Sequence, residues 1–117
     1  MADYTPLYRP GKDVTYTAAS AITAGQLVEI TTDLTVQPAG AASTKYVGIA
    51  LFDAPSGGIV TVEAGGVQRP TASGAIAAGD RVQTAANGQV ATGTTAPIGT
   101  AIAAAASGAV ALIKLDR

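Results

Sequence analysis

The residue types that carry out most enzyme chemistry are scarce in this sequence. Its 117 residues include no histidine and no cysteine, so an imidazole base, a thiolate nucleophile and the usual transition-metal ligands are missing. The carboxylate pairs that remain are Glu29 with Asp33 and Asp53 with Glu63. No spacing singles out either pair for acid–base catalysis, and we interpret all four as solvated surface groups. The sequence therefore predicts no enzyme, no cofactor and no metal site.

Two further motifs could indicate a small-molecule site, and neither has the context that such a site needs. Lys45, directly before Tyr46, could be a lysine that a hairpin presents for cofactor attachment. No methionine flanks it, however, and an ordinary surface lysine is the better interpretation. The pairs Gly57-Gly58 and Gly65-Gly66 belong to no G-x-G-x-x-G or Walker pattern, so they predict turns rather than a phosphate-binding loop. The sequence predicts no small-molecule substrate.

Charge and composition bear on the class of partner. Seven basic and eight acidic residues give a net charge of −1 and are scattered singly, which predicts binding to neither nucleic acid nor a membrane. Charged residues make up 13% of the chain, against an average of about 25%. Two interpretations stay open. Threonine, serine and glutamine keep the surface soluble, or partners and sister subunits cover much of it.

The pattern A-I-x-A-G-x-x-V occurs twice and organises the predicted fold. The copies begin at Ala21 and Ala75, 54 residues apart. A second match, of Val47-Gly48-Ile49-Ala50 with Ile98-Gly99-Thr100-Ala101, has an offset of 51 residues, which one shorter loop would explain. The Ala-Gly step favours a tight turn. The sequence therefore predicts one domain over 13–117, built from two tandem repeats at about 13–65 and 66–117.

Alternating apolar and polar residues predict about ten short strands. They lie at residues 13–18, 27–31, 34–37, 45–52, 59–63, 67–69, 81–84, 89–91, 97–102 and 109–115. Asn87-Gly88 predicts a hairpin turn. Residues 101–106 have helical propensity, but their counterpart in the first repeat contains Pro55, so the repeat favours strand and turn with one helical turn at most. We predict an all-β fold, either a small barrel or a sandwich.

Residues 1–12 have no counterpart in the repeats and form the predicted extended N-terminal arm. Two prolines restrict the residues before them to extended conformations. A frayed terminus is the alternative interpretation, but tyrosine and arginine are prominent here, and these residue types dominate interface energetics. We therefore predict a partner-binding arm. Its contact residues are Tyr4, Pro6, Leu7, Tyr8, Arg9 and Pro10.

The order of these features resembles that of phage capsid cement, or decoration, proteins. The resemblance is carried by residues 1–11, the repeated A-I-x-A-G-x-x-V block, Val47-Gly48-Ile49-Ala50 and Gly65-Gly66-Val67. It implies a β-rich bacteriophage protein, made in the host cytoplasm, that binds the outer surface of the assembled head. It also implies a homotrimer that stabilises the shell by bridging major capsid protein subunits, with no catalytic residue to carry over.

Two alternative functions stay open. A displayed β-barrel module that binds carbohydrate or a host surface would use aromatic platforms, and the chain has four tyrosines, one phenylalanine and no tryptophan. The other alternative is a structural subunit of another virion part, such as a head fibre or a tail tube.

Overall fold

Ten short β-strands form the described part of the chain, which comprises residues 13–117 of a computed structural model. The strands are β1 (Val14–Ala18), β2 (Leu27–Thr32), β3 (Thr35–Pro38), β4 (Tyr46–Ala50), β5 (Ile59–Glu63), β6 (Val67–Gln68), β7 (Arg81–Ala85), β8 (Gln89–Thr92), β9 (Pro97–Ala101) and β10 (Ile113–Leu115). A single 3-10 turn, Ala86–Gly88, joins β7 to β8. The prediction of an all-β fold with about ten short strands is confirmed. The predicted arm lies outside the described residues.

The N-terminal half, residues 13–65, forms a closed barrel of five strands in the order β1-β3-β2-β4-β5. Strand β1 closes the barrel, because it pairs in parallel with β3 and antiparallel with β5. In β5, buried Val60 and Val62 alternate with outward Ile59 and Thr61, as the two-residue period of a strand requires. The interior consists of small and branched side chains: Ala18, Ile22, Val28, Val36, Ala50, Ala54, Val60 and Val62.

The C-terminal half, residues 66–117, forms a five-stranded sheet in the order β6-β10-β9-β7-β8. Its strand pairs have the registers of the barrel. Val14 lies opposite Val62 in the barrel, and Gln68 lies opposite Ile113 in the sheet, so the two positions are displaced by 54 and 51 residues. The division into two repeats stays a proposal, and the shared registers support it.

The C-terminal sheet is not closed as the barrel is. Its counterpart of β1 ends at Gln68, and only a bridge from Ala72 to Val90 repeats the parallel pairing. Pro70 occupies the position that Tyr16 has in the barrel. The Ala111 N–H donates to the Pro70 carbonyl at 2.8 Å, but proline has no N–H to complete the pair. The strand is therefore interrupted where the barrel strand continues.

The two halves differ in length at one connection. Residues 39–45 join β3 to β4, whereas the shorter segment 93–96 joins β8 to β9. The longer connection contacts the C-terminal half through Thr84, whose side chain is buried. The Thr84 hydroxyl donates to the Gly40 carbonyl at 2.8 Å and accepts from the Ser43 N–H at 2.7 Å. The additional residues thus help to join the halves.

A shared apolar core also joins the halves. The barrel contributes side chains from the outer face of β2 and β4, and they pack against the interior of the C-terminal sheet. The buried members are Leu27, Ala39, Tyr46, Ile49, Ala72, Ile76, Val82, Val90, Ile98, Ala101, Ala111, Ile113 and Leu115. At this junction a Cβ on Gly88 would lie 2.6 Å from the Leu27 carbonyl oxygen. With φ at +69° as well, the position requires glycine.

Several predicted boundaries differ from the structure, and the predicted strand at 45–52 extends only from Tyr46 to Ala50. Leu34, predicted to begin a strand, instead occupies the hairpin turn with φ at +47°, and β3 begins at Thr35. The predicted strand at 109–115 is shorter, because the chain leaves a turn at Gly108 with φ at +81° and regular pairing begins at Ile113. The helical alternative for 101–106 is wrong, since Ala105 forms a strand-like bridge instead.

Candidate functional site

The first carboxylate pair has a structural use at Glu29. This side chain accepts hydrogen bonds from Gln37 Nε2 at 2.9 Å and from the Gly40 N–H at 3.0 Å. Partial burial opposes ionisation, but these hydrogen bonds outweigh it and lower the pKa of Glu29. The carboxylate therefore anchors the start of the 39–45 connection. Asp33 lies in the exposed β2–β3 turn.

Both members of the second carboxylate pair also accept hydrogen bonds within the fold. Asp53 Oδ1 accepts from the Ala24 N–H at 2.8 Å, and Glu63 Oε1 accepts from Gln68 Nε2 at 3.1 Å. Across residues 13–117, no cluster of three or more potential ligand side chains could hold a metal ion. No helix in the same range has the length and hydropathy to cross a membrane.

Tyr46 belongs to the shared core. Its hydroxyl donates to the main-chain oxygen of Arg117 at 3.1 Å, and the Arg117 guanidinium lies 5.8 Å from the ring centroid. Burial raises the pKa of the Tyr46 hydroxyl well above its usual value, so this side chain stays protonated and packs. The neighbouring Lys45 is exposed.

A groove of about 360 Å³ runs between the halves. Its barrel wall includes the Ala24-Gly25 turn and Leu51, and its other wall includes Arg69 and Val110. The first copy of the repeated Ala-Gly motif therefore lines this groove. The second copy, Ala78-Gly79, is exposed.

The halves differ in charge on the outer faces of two equivalent strand pairs. We define the acidic face of the barrel, on β1 and β5 with the residue before β1, as Asp13, Thr15, Thr17, Ile59, Thr61 and Glu63. We define the basic face of the C-terminal half, at the equivalent positions, as Val67, Arg69, Thr71, Val110, Leu112 and Lys114. Each set alternates along its strands with buried or part-buried inward residues. The acidic face thus presents two acids and the basic face two bases. Glu63 and Lys114 occupy the same position, whereas Asp13 is equivalent to Val67 and Arg69 to Thr15.

Exposed apolar side chains accompany the charges on the basic face. Val67, Val110 and Leu112 are exposed by 54%, 62% and 38%. Ile102, exposed by 51%, adjoins this face, since its N–H donates to the Leu112 carbonyl at 3.0 Å. On the acidic face, Ile59 is the large apolar side chain and is exposed by 67%.

The arm residues that the sequence singled out are not among the described residues. They are Tyr4, Pro6, Leu7, Tyr8, Arg9 and Pro10. The described chain begins at Asp13, on the acidic face. The two faces themselves were missed, although a signal for them exists: aligning the repeats position by position places Asp13 against Val67 and Glu63 against Lys114.

Exposed apolar side chains grouped on one face are typical of protein–protein contact surfaces. The family model for phage cement proteins matches residues 8–115, and the chain belongs to this family. Membership confirms the resemblance seen in the sequence and assigns the chain a structural role in association with a phage capsid.

Among solved structures, the head fiber gp8.5 N base of bacteriophage phi29 has a similar fold. The TM-score is 0.73, with 19% sequence identity over 90% of this chain and 93% of that chain. At this identity the likeness shows a shared fold alone. No curated protein matches the chain.

Proposed function

We propose that this chain is a capsid cement protein, without enzymatic activity, that binds the outer surface of a phage head. In this role it stabilises the shell by bridging subunits of the major capsid protein, and it acts as a homotrimer. The observation that carries the proposal is the family match, which extends from residue 8 through both halves to residue 115.

The N-terminal arm is the proposed contact with the shell. An extended segment can lie along an exposed strand edge of another protein and form main-chain hydrogen bonds with it. Tyr4, Leu7 and Tyr8 would add apolar contact area, and Arg9 would add a charge-assisted contact. Because an oligomer presents several arms at once, modest individual contacts add up by multivalency.

The architecture of residues 13–117 suits a part that must resist deformation. The barrel of the N-terminal half is closed, so within it no strand edge is left to pair with another chain. The halves are tied by the shared core and by the two hydrogen bonds of the Thr84 hydroxyl. Load applied to one half would pass to the other through these contacts.

Co-sedimentation with capsids that lack the protein tests the proposal. The full chain should pellet with the shells, and the triple variant Tyr4→Ser, Leu7→Ser, Tyr8→Ser should stay in the supernatant with an unchanged circular dichroism spectrum. A chain deleted for residues 2–10 should behave like the triple variant.

The matched control removes two exposed apolar side chains of the barrel, Leu34→Ser and Phe52→Ser, and leaves the arm intact. This control should pellet like the wild type. Equal pelleting of the arm variant and the wild type would refute the arm contact, and failure of the full chain to pellet would refute the function.

The fold shared with the phi29 head fiber base favours a second candidate, a structural subunit of another part of the head. Electron microscopy of heads decorated with a labelled chain separates the two. Cement function predicts label distributed regularly over the shell, whereas a fibre subunit would be confined to projecting structures.

A further inference from the structure

We propose that copies of this chain associate head to tail, with the acidic face of one copy packed against the basic face of the next. The inference deepens the proposed function and rests on it for the trimer, because it names the surfaces that would hold the subunits together. All residues of the two faces lie within residues 13–117.

Charge is the first argument. Asp13 and Glu63 flank the threonines of the acidic face, and Arg69 and Lys114 occupy the basic face. Each face has the same strand pair and the same register. Two surfaces of opposite charge attract each other, and the positions of the charges fix their relative orientation.

The exposed apolar side chains are the second argument. Eight large hydrophobic residues are exposed in residues 13–117, and Ile59, Val67, Val110 and Leu112 are on the two faces. Contact between the faces would remove these side chains from water, which supplies affinity in proportion to the apolar area buried. The outward threonines of the acidic face are β-branched and short, so they permit close approach of a second sheet.

The charges also decide the symmetry of the contact. Pairing two basic faces would bring Arg69 and Lys114 of both copies together, and pairing two acidic faces would do the same for Asp13 and Glu63. The favourable contact is therefore heterologous. A heterologous contact closes into a ring when its rotation permits, and three copies in such a ring give the proposed trimer.

The occupant of each face is a second copy of this chain, because each copy carries one face of each kind. The match is two acids to two bases, so a ring leaves no charged face unpaired. A capsid protein that covered the basic face would instead have to supply the acids itself, and the arm is the part proposed to contact it.

Two full-length charge-reversal variants test the pairing by light scattering or sedimentation velocity. The acidic-face variant is Asp13→Lys with Glu63→Lys, and the basic-face variant is Arg69→Glu with Lys114→Glu. Each should weaken self-association by at least about 30-fold, because like charges then face each other. At concentrations where the wild type is a trimer, each variant should have the 11.4 kDa mass of one chain.

A single chain that carries all four reversals should form the trimer again, since each reversed face then meets a reversed face of opposite charge. Circular dichroism checks that each two-residue variant is folded. Lys45→Glu, a charge reversal at an exposed position outside both faces, is the matched control and should keep the wild-type mass.

The pairing is overturned if the wild type stays monomeric at every concentration, if the two-residue variants keep its mass, or if the chain with all four reversals does not form the trimer. Shell binding is scored separately. A ring formed by these faces that does not pellet with capsids refutes the proposed function alone. If the wild type binds the shell and both charge-reversal variants keep the wild-type mass, only the face pairing is refuted.

Discussion

The two halves of the molecule have the same strand register, but one forms a closed barrel and the other a five-stranded sheet. In the barrel, β1 continues through Tyr16 and closes the sheet, whereas in the C-terminal half Pro70 stands at the same position and the strand stops at Gln68. One missing N–H accounts for the interruption. The comparison shows that the apolar pattern specifies which strands pair, and that a single position decides how far a strand continues.

The comparison extends to the surface. Interior positions are filled by similar residues in both halves, such as Val36 and Val90 or Ile22 and Ile76. Outward positions on the equivalent strands differ between the halves in charge and polarity, as at Thr61 and its equivalent Leu112. The core is therefore the shared feature, and the surfaces are where the halves could take different partners.

The largest effect is expected at Gly88, and its equivalent in the barrel, Leu34, serves as the comparison. Gly88→Leu should lower the free energy of unfolding by about 3 kcal/mol or more, because its side chain would meet the Leu27 carbonyl and distort a packed junction. Leu34→Gly should change it by less than about 1 kcal/mol, since Leu34 is exposed and only its positive φ is relieved. Urea denaturation followed by circular dichroism measures both. Equal effects at the two positions would contradict the close contact of the halves at Gly88.

The next effect concerns the longer connection of the N-terminal half, residues 39–45. Thr84→Val should lower the free energy of unfolding by about 1–3 kcal/mol, because the Gly40 carbonyl and the Ser43 N–H lose a buried partner. Thr17→Val, a change of the same size at an exposed position, is the control and should have little effect. The denaturant midpoints of the two variants measure these changes. If Thr84→Val leaves the free energy of unfolding unchanged, the 39–45 connection does not join the halves.

The smallest effect is expected at Glu29, which is compared with its equivalent, Gln83. Each of these side chains accepts a hydrogen bond from the connection that follows its β-hairpin. Gln83 Oε1 accepts from the Thr95 N–H at 3.1 Å, much as Glu29 accepts from the Gly40 N–H. Because the pKa of Glu29 is lowered on folding, its ionised form stabilises the fold above the unfolded pKa near 4.5. That contribution is lost as the pH falls through the lower, folded pKa.

Glu29→Gln should remove this part of the acid dependence and change stability at neutral pH by less than about 1 kcal/mol. Thermal melts between pH 7 and pH 3 compare the variant with the wild type, and Gln83→Ala serves as the control without a titrating group. Parallel pH profiles for wild type and Glu29→Gln would show that Glu29 does not contribute in this way.

Most of the strand plan could be predicted from the sequence because it depends on local signals. Alternation in β1 and β5 and the Asn87-Gly88 turn, with Asn87 φ at +61°, each act within a few residues. Leu34 was misplaced because a bulky residue at positive φ runs against steric preference. Its conformation follows from the hairpin around it.

The site was less accessible to sequence reasoning. Burial of Thr84 and Gly88 depends on how the halves pack, and no local pattern encodes that packing. The acidic and basic faces were encoded in the repeat offsets, but only strand register shows that Glu63 and Lys114 occupy one structural position. The arm residues, from Tyr4 to Pro10, stay a prediction.

A cryo-EM map of heads decorated with the full-length chain tests the central claim most directly. The account predicts density on the outer shell surface, with residues 1–12 in contact with major capsid protein and neighbouring copies joined through the acidic and basic faces. A shell whose outer surface carries no density for the chain, or density confined to a fibre or tail, would contradict it.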